Sequence, residues 1–234
     1  YKEVEVTNGG KLVGKVSFKG ESKVTEGFKV SKDTDCCGTE KPNTRLTVSE
    51  QNWVKNALIT IEGIKEGKAW VKAERKIDQN ACSYTPFIQV MEVGKKIKIV
   101  NSDPVLHNVH GYLNGKTVFN LAMPLPGQEV KAKLEEIGMH DISCDAGHSW
   151  MSAYIYVTDH PYAIISGDDG SFEISDIPPG EYTVKMWHAG WRVKEAAKDE
   201  NGIVTAYKYE DPIVKEAKIK IEAGQSATLD FTLE

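Results

Sequence analysis

No stretch of this 234-residue chain is apolar for long enough to cross a bilayer as a helix. Positive charge is not in excess either. The 29 Lys and Arg are outnumbered by 34 Asp and Glu, so the formal net charge of −5 supplies no basic footprint for nucleic acid. The two signs are interspersed, as on an ordinary solvated surface. Cysteine is scarce at four residues, and none lies in Cys-x-x-Cys-His, which excludes a covalent c-type haem. There is no flavin fingerprint, Walker loop or Gly-x-Ser-x-Gly elbow, and six His are too few for a trinuclear centre, so enzyme chemistry of its own is not expected. No signal peptide is visible; a first residue Tyr1 in place of Met is what removal of a leader would leave. Helical patterning is nearly missing, confined to Val193–Lys198 within an insertion at 192–213.

What remains reads almost entirely as strand and turn, an all-β chain long enough for one large or two medium domains. Lys11–Phe18 lies between glycines, and Ala57–Gly63 is β-branched and closed by Gly63. Residues 21–55 are polar and irregular apart from a short element at Val48–Val54. Asn114-Gly115, Pro124 and Pro126-Gly127 are turn signals. Further on, Ser166–Ile174 has the turn-then-strand grammar of a hairpin. Asp176–Trp187 repeats it around Pro178-Pro179-Gly180, and Ala227–Leu233 alternates with period two. Asp168 and Asp169 are read as turn residues rather than a calcium site.

The densest chemistry lies in Cys144-Asp-Ala-Gly-His148-Ser-Trp-Met151, which places a thiol, an imidazole and a thioether within eight residues. A second imidazole is available upstream, in Asn101-Ser-Asp-Pro-Val-Leu-His107-Asn-Val-His110. Two His, one Cys and a weak axial Met make the ligand set of a blue-copper electron-transfer site, whereas zinc rarely takes Met. Ile97–Val100 reads as a strand leading to His107, and Ala153–Val157 as a strand leaving Met151.

Phe87–Gly94, Lys96–Val109 and Cys144–Met151 together resemble the cupredoxins, the plastocyanin and amicyanin group. The ligand loop is closer in length to that of amicyanin than of azurin, and is one residue longer between Cys and His than Cys-x-x-His-x-x-Met. The resemblance implies a Greek-key β-sandwich over 56–158 holding one type 1-like copper ion through His107, Cys144, His148 and Met151. It also implies that an edge of His148 meets solvent as the electron port. Residues 140–151 resemble the binuclear copper loop of cytochrome oxidase subunit II as well, but His140 fills the position of its first Cys, which leaves a mononuclear site. Asp-Gly-x-Phe-x-Ile and Pro-Pro-Gly-x-Tyr-x-Val resemble the carboxypeptidase regulatory-like (transthyretin-like) sandwich, implying a second, smaller β-domain over 159–234. The N-terminal strand within 1–55 is expected to pack on that module. The whole arrangement is similar to methylamine-utilisation-like cupredoxin proteins.

The function so implied is an extracytoplasmic one-electron carrier with a redox protein partner, a cytochrome or an oxidoreductase. The alternative is a non-redox copper-binding or structural surface protein that assembles with itself or others through the second β-domain. A bridge from Cys36 or Cys37 to Cys82 is expected, which suits a periplasmic or cell-surface location because disulfides persist in oxidising compartments. His110 is expected on the opposite strand face from His107, in a supporting or surface role. His140 and His188 are expected to be structural, and Trp150 to shield the site or pack beside it.

Overall fold

The computed structural model describes residues 1–20 and 25–234; the part of the expected irregular segment that falls on 21–24 lies outside the described residues. Among the described residues the chain is all-β, and the turn Thr34–Cys37 is its one α-helical element.

The strands form two sandwiches. In the first, one sheet runs Ser83–Thr85, Arg75–Asn80, Lys96–Asn101, Gln128–Lys133, and the other runs Ile88–Glu92, Ser152–Thr158, Gly138–Ser143, His107–Leu113, Lys116–Met123. Alternation sets the faces. Ile97 and Ile99 point into the core while Lys96 is exposed, and Ala153, Ile155 and Val157 meet them from the opposite sheet. The second sandwich pairs the sheet Ala163–Ile165, Leu58–Glu62, Gly180–His188, Ile213–Ile221 with a sheet built on Gly10–Phe18. That central strand takes Ser171–Ile177 on one side and the parallel segments Ser226–Thr228 and Phe231–Leu233 on the other. A Cβ at Gly14 would lie 1.9 Å from the Leu229 carbonyl oxygen, so only glycine lets the backbones approach this closely.

Outer faces join the two units. Leu58, Ile88, Val90, Tyr154 and Ala189 form a small apolar cluster, and the Tyr154 ring meets the edges of Trp187 at 4.9 Å and Phe87 at 5.5 Å. The buried Arg45 lies at this seam. It donates to the Gly190 carbonyl at 2.7 Å, to Ser152 Oγ at 2.8 Å and to the Tyr154 hydroxyl, and stacks 3.7 Å over Tyr209. A buried guanidinium needs such saturation, since its desolvation is otherwise uncompensated.

Several sequence expectations change here. The boundary between 1–55 and 56–158 is misplaced: Leu58–Glu62 pairs with Ala163–Ile165 and Gly180–His188 in the second sandwich. Conversely, Phe28, Val30 and Cys37 pack into the first core, so the N-terminal segment touches both units. An apolar strand fits either core locally; pairing across more than a hundred residues decides which one takes it. The expected hairpin over Ser166–Ile174 is instead a crossing, since Ala163–Ile165 and Ser171–Ile177 lie in different sheets. Val193–Lys198 is a strand, not helix-like. It pairs with Val204–Tyr209, and its partner's Tyr207 and Tyr209 rest on Phe28 of the first unit. Tertiary packing of that aromatic pair outweighs the high intrinsic helix propensity of Lys-Glu-Ala-Ala-Lys.

Candidate metal centre

Two connections at one end of the first sandwich bring the candidate ligands together. Lys96–Asn101 ends on a wholly buried Asn101, which shapes the crossing to the other sheet. Its Nδ2 donates to the carbonyls of Val105 at 3.0 Å and Met123 at 2.8 Å, and its Oδ1 accepts from Asp103 N–H at 3.0 Å. His107 therefore begins a strand in the second sheet instead of following the first strand directly. Asn114 and Gly115, both at positive φ, give the tight turn whose twist suits a hairpin and place His107 opposite Met123. Cys144 follows the strand Gly138–Ser143, and Ser152 pairs back onto Ser143, so residues 144–151 form one connecting loop. Within it Met151 N–H donates to the His148 carbonyl at 2.9 Å. Gly147 sits at φ +89°, under Lys32, whose Nζ donates to the Ala146 carbonyl at 2.7 Å.

His107, Cys144 and His148 are all buried, and one ligand atom of each lies within 4.8 Å of the others. Nδ1 of His107 is 3.2 Å from Nδ1 of His148, which is 3.7 Å from Cys144 Sγ. Separations of this size let one ion with bonds of about 2.0–2.3 Å touch all three atoms. The outer ring nitrogens are committed elsewhere. His107 Nε2 is 2.8 Å from Asp103 Oδ2, and His148 Nε2 is 3.0 Å from Asp33 Oδ2. A carboxylate accepts, so each Nε2 carries its hydrogen and each Nδ1 turns a lone pair toward the other. Two lone pairs facing one another beside a thiol in a buried pocket repel unless a cation or proton lies between them. The donor set thus fits a soft or borderline metal ion.

Electrostatics agree. Burial pushes the Cys144 thiol up, against N–H groups of Ala146, Asn108 and His148 that favour the thiolate. The Asn108 N–H is 3.4 Å from the sulfur. Burial also lowers His148, with His107 adding to the effect and Asp33 opposing it. Burial thus keeps His148 in the neutral form that a metal ion would take, and keeps Cys144 a thiol whose proton a metal ion would displace.

Met151 is buried in the same core at the close of the loop. Met123 is buried too, but its sulfur takes the Gln79 amide at 3.1 Å. Trp150 packs edge-on to His148 at 5.3 Å and donates through Nε1 to the Cys82 carbonyl at 2.9 Å. His110 stands apart from the three. Its Nδ1 is 2.6 Å from Asp145 Oδ2 and its Nε2 is 2.7 Å from Thr117 Oγ1. His140 is tied through Nε2 to the Glu136 carbonyl at 2.9 Å, and His188 through Nδ1 to Ala189.

The expected solvent-facing edge of His148 does not exist. The residue is wholly buried, because Lys32, Asp33 and the turn Thr34–Cys37 lie over the loop. Asp33, 30 % exposed in its side chain, is what meets solvent on that side. Sequence reasoning missed both carboxylates. Asp103 carried a signal, standing four residues before His107 in a turn-rich segment. Asp33 carried none, being 115 residues from His148. The disulfide joins Cys37 to Cys82, leaving Cys36 and Cys144 as thiols.

No protein-family model and no curated protein matches the chain. Among solved structures, a purple cupredoxin from Nitrosopumilus maritimus is 27 % identical, covering 36 % of this chain and 100 % of its own, at a TM-score of 0.32. A mutant amicyanin in its Cu(I) form is 20 % identical over 43 % of this chain and 98 % of its own, at 0.33. A copper-containing nitrite reductase from Thermus scotoductus is 17 % identical over 40 % of this chain and 24 % of its own, also at 0.33. Likeness at these scores carries no weight for fold or function; the convergence of His107, Cys144 and His148 stands without it.

Proposed function

We propose that this chain is a mononuclear copper protein that carries single electrons, with His107, Cys144, His148 and Met151 as its ligands. One observation carries the reading: two imidazole Nδ1 atoms 3.2 Å apart, each ring held from behind by a carboxylate and facing a buried thiol. Copper in such a set supplies a Cu(I)/Cu(II) couple, since thiolate and thioether suit the reduced ion and imidazole suits both. The protein's part is to hold the ligands still. Asp103 and Asp33 fix the two ring orientations, the Asn108 N–H points at the Cys144 sulfur, and the buried walls keep water out. Rigid ligands need little rearrangement between oxidation states, which is the requirement for fast one-electron transfer.

On this reading the chain is a carrier and not an enzyme, and its partner is another redox protein, a cytochrome or an oxidoreductase. The Cys37–Cys82 disulfide supports a periplasmic or cell-surface setting. A second reading, copper held for structure or storage in a surface protein that assembles through its second sandwich, draws on the covered His148 edge, which removes the shortest route for an electron to solvent.

The test is a visible and EPR spectrum after one equivalent of Cu(II). An intense thiolate-to-copper band that disappears on reduction and returns on oxidation supports the carrier. A band with slow, irreversible redox behaviour favours the structural reading. Absence of the band, with only weak tetragonal copper signals, overturns both.

A further inference from the structure

The cap over His148 contains a thiol that no part of the copper reading uses. Cys36 is half-buried, and its sulfur lies 3.9 Å from Cys82 Sγ, which is already bonded to Cys37. All three sulfurs lie within 4.8 Å of one another. Each end of the bridge is also hydrogen-bonded to one of the two aspartates behind the candidate metal pocket, Asp33 through its main-chain carbonyl and Asp103 through its carboxylate. The Asp33 carbonyl accepts from the N–H groups of Cys36 at 3.0 Å and Cys37 at 2.8 Å, while its carboxylate holds His148 Nε2. Asp103 accepts from the N–H groups of Ala81 at 2.7 Å and Cys82 at 2.8 Å, and holds His107 Nε2. Ala81, Cys82 and Asp33 all adopt positive φ, a conformation costly for residues with a side chain and kept only where surrounding contacts impose it.

We propose that Cys36, Cys37 and Cys82 form an intramolecular thiol–disulfide exchange site in which Cys36 is the nucleophile. The Cys36 side chain turns its sulfur into line with the Cys37–Cys82 bond, its thiol gives its proton to solvent and its thiolate attacks Cys82 Sγ. The Cys36–Cys82 bond forms as the Cys37–Cys82 bond breaks, and Cys37 leaves as a thiolate that takes up a proton from solvent. One disulfide and one thiol stand on each side of the step, so no oxidant or reductant is consumed. Burial raises the Cys36 thiol, with the carboxylates of Asp103 and Asp33 adding to the effect and Lys41 opposing it, which keeps the attacking group protonated and the exchange slow.

The exchange has a structural consequence. Neighbouring residues on a helical turn project about 100° apart. Moving the tether from Cys37 to Cys36 therefore rotates the turn that carries Asp33 and withdraws its carboxylate from His148. The bridge selects whether the outer edge of His148 is covered or open. This consequence rests on the copper reading only for its importance; the exchange itself needs no metal.

Metal-free full-length protein tests it. Wild-type protein is held at mildly alkaline pH, alkylated with iodoacetamide at intervals and fragmented to locate the label. The label is expected on Cys36 at first and increasingly on Cys37. In parallel, Cys37→Ser and Cys36→Ser are refolded in a glutathione redox buffer. Cys37→Ser is expected to bridge Cys36 to Cys82 and to lose the protection of His148 against diethyl pyrocarbonate, which Cys36→Ser retains. Folded Cys37→Ser with both Cys36 and Cys82 as titratable thiols would overturn the proposal. So would a wild-type label that never leaves Cys36, which decides the matter even if Cys37→Ser does not fold. A copper spectrum without the thiolate band would overturn the copper reading and leave these outcomes untouched.

Discussion

His107 and His148 at the end of the first sandwich are as deeply buried as His188, which lies at the end of a strand of the second, yet the three imidazoles live in opposite circumstances. Both nitrogens of His107 and His148 have a neighbour, a carboxylate on one side and the facing pocket on the other. His188 bonds through Nδ1 to the Ala189 carbonyl, and its Nε2 has no hydrogen-bond partner among the described residues. Burial, with the nearby Arg45 charge adding to it, lowers it to about 4. Burial of a histidine is therefore no sign of a site. Convergence of ring nitrogens, with each ring oriented from behind, is what separates the candidate metal pocket from a neutral core residue.

The sharpest way to break this contrast is Cys144→Ser, which should abolish the intense visible band of the Cu(II)-loaded protein; retention of the band would remove Cys144 from the ligand set. Next come the orienting carboxylates. Asp103→Asn should weaken copper binding by about 10- to 100-fold, with Asp33→Ala at the lower end because that carboxylate is partly exposed, as measured by competition titration. In the second sandwich, Ile61→Ala removes a wholly buried side chain and should cost about 2–5 kcal/mol in denaturant unfolding, with the copper spectrum unchanged.

His188 sharpens the comparison through pH. Its folded value lies below its ordinary 6.5, so between roughly pH 6.5 and 4 the unfolded chain takes up a proton that the folded chain refuses. Stability should fall as pH drops through that window, by about 3 kcal/mol in all, and His188→Gln should lose that part of the slope. His148 and His160 are lowered in the same direction, mainly by burial, so the wild-type slope in metal-free protein should exceed the share His188 removes. The smallest effect belongs to His110→Ala, which should leave the copper band nearly unchanged. Bleaching would show that His110, not His107, faces the metal.

Much of this molecule was legible along the chain. Alternation in Lys96–Asn101 and Ser171–Ile177, and turns at Asn114-Gly115 and Pro178-Pro179-Gly180, mark strands and their ends because side-chain period and backbone φ are local properties. Cys144, His148 and Met151 stand out because ligands on one loop must be close in sequence. Strand partners were less legible. Leu58–Glu62 has no local feature that prefers Gly180–His188 over a strand of the first sandwich, and Val193–Lys198 looks helical until Tyr207 and Tyr209 find Phe28.

By itself, then, the sequence determined an all-β chain with a Cys–His–Met loop, since both follow from spacing and from the chemistry of single residues. Only the tertiary structure decided that Cys37 and not Cys36 bridges to Cys82, that Arg45 closes the seam between sandwiches, and that Asp33 covers His148. Those outcomes depend on contacts between groups tens to more than a hundred residues apart. Their directions are set by the summed packing of both cores, which no local pattern encodes.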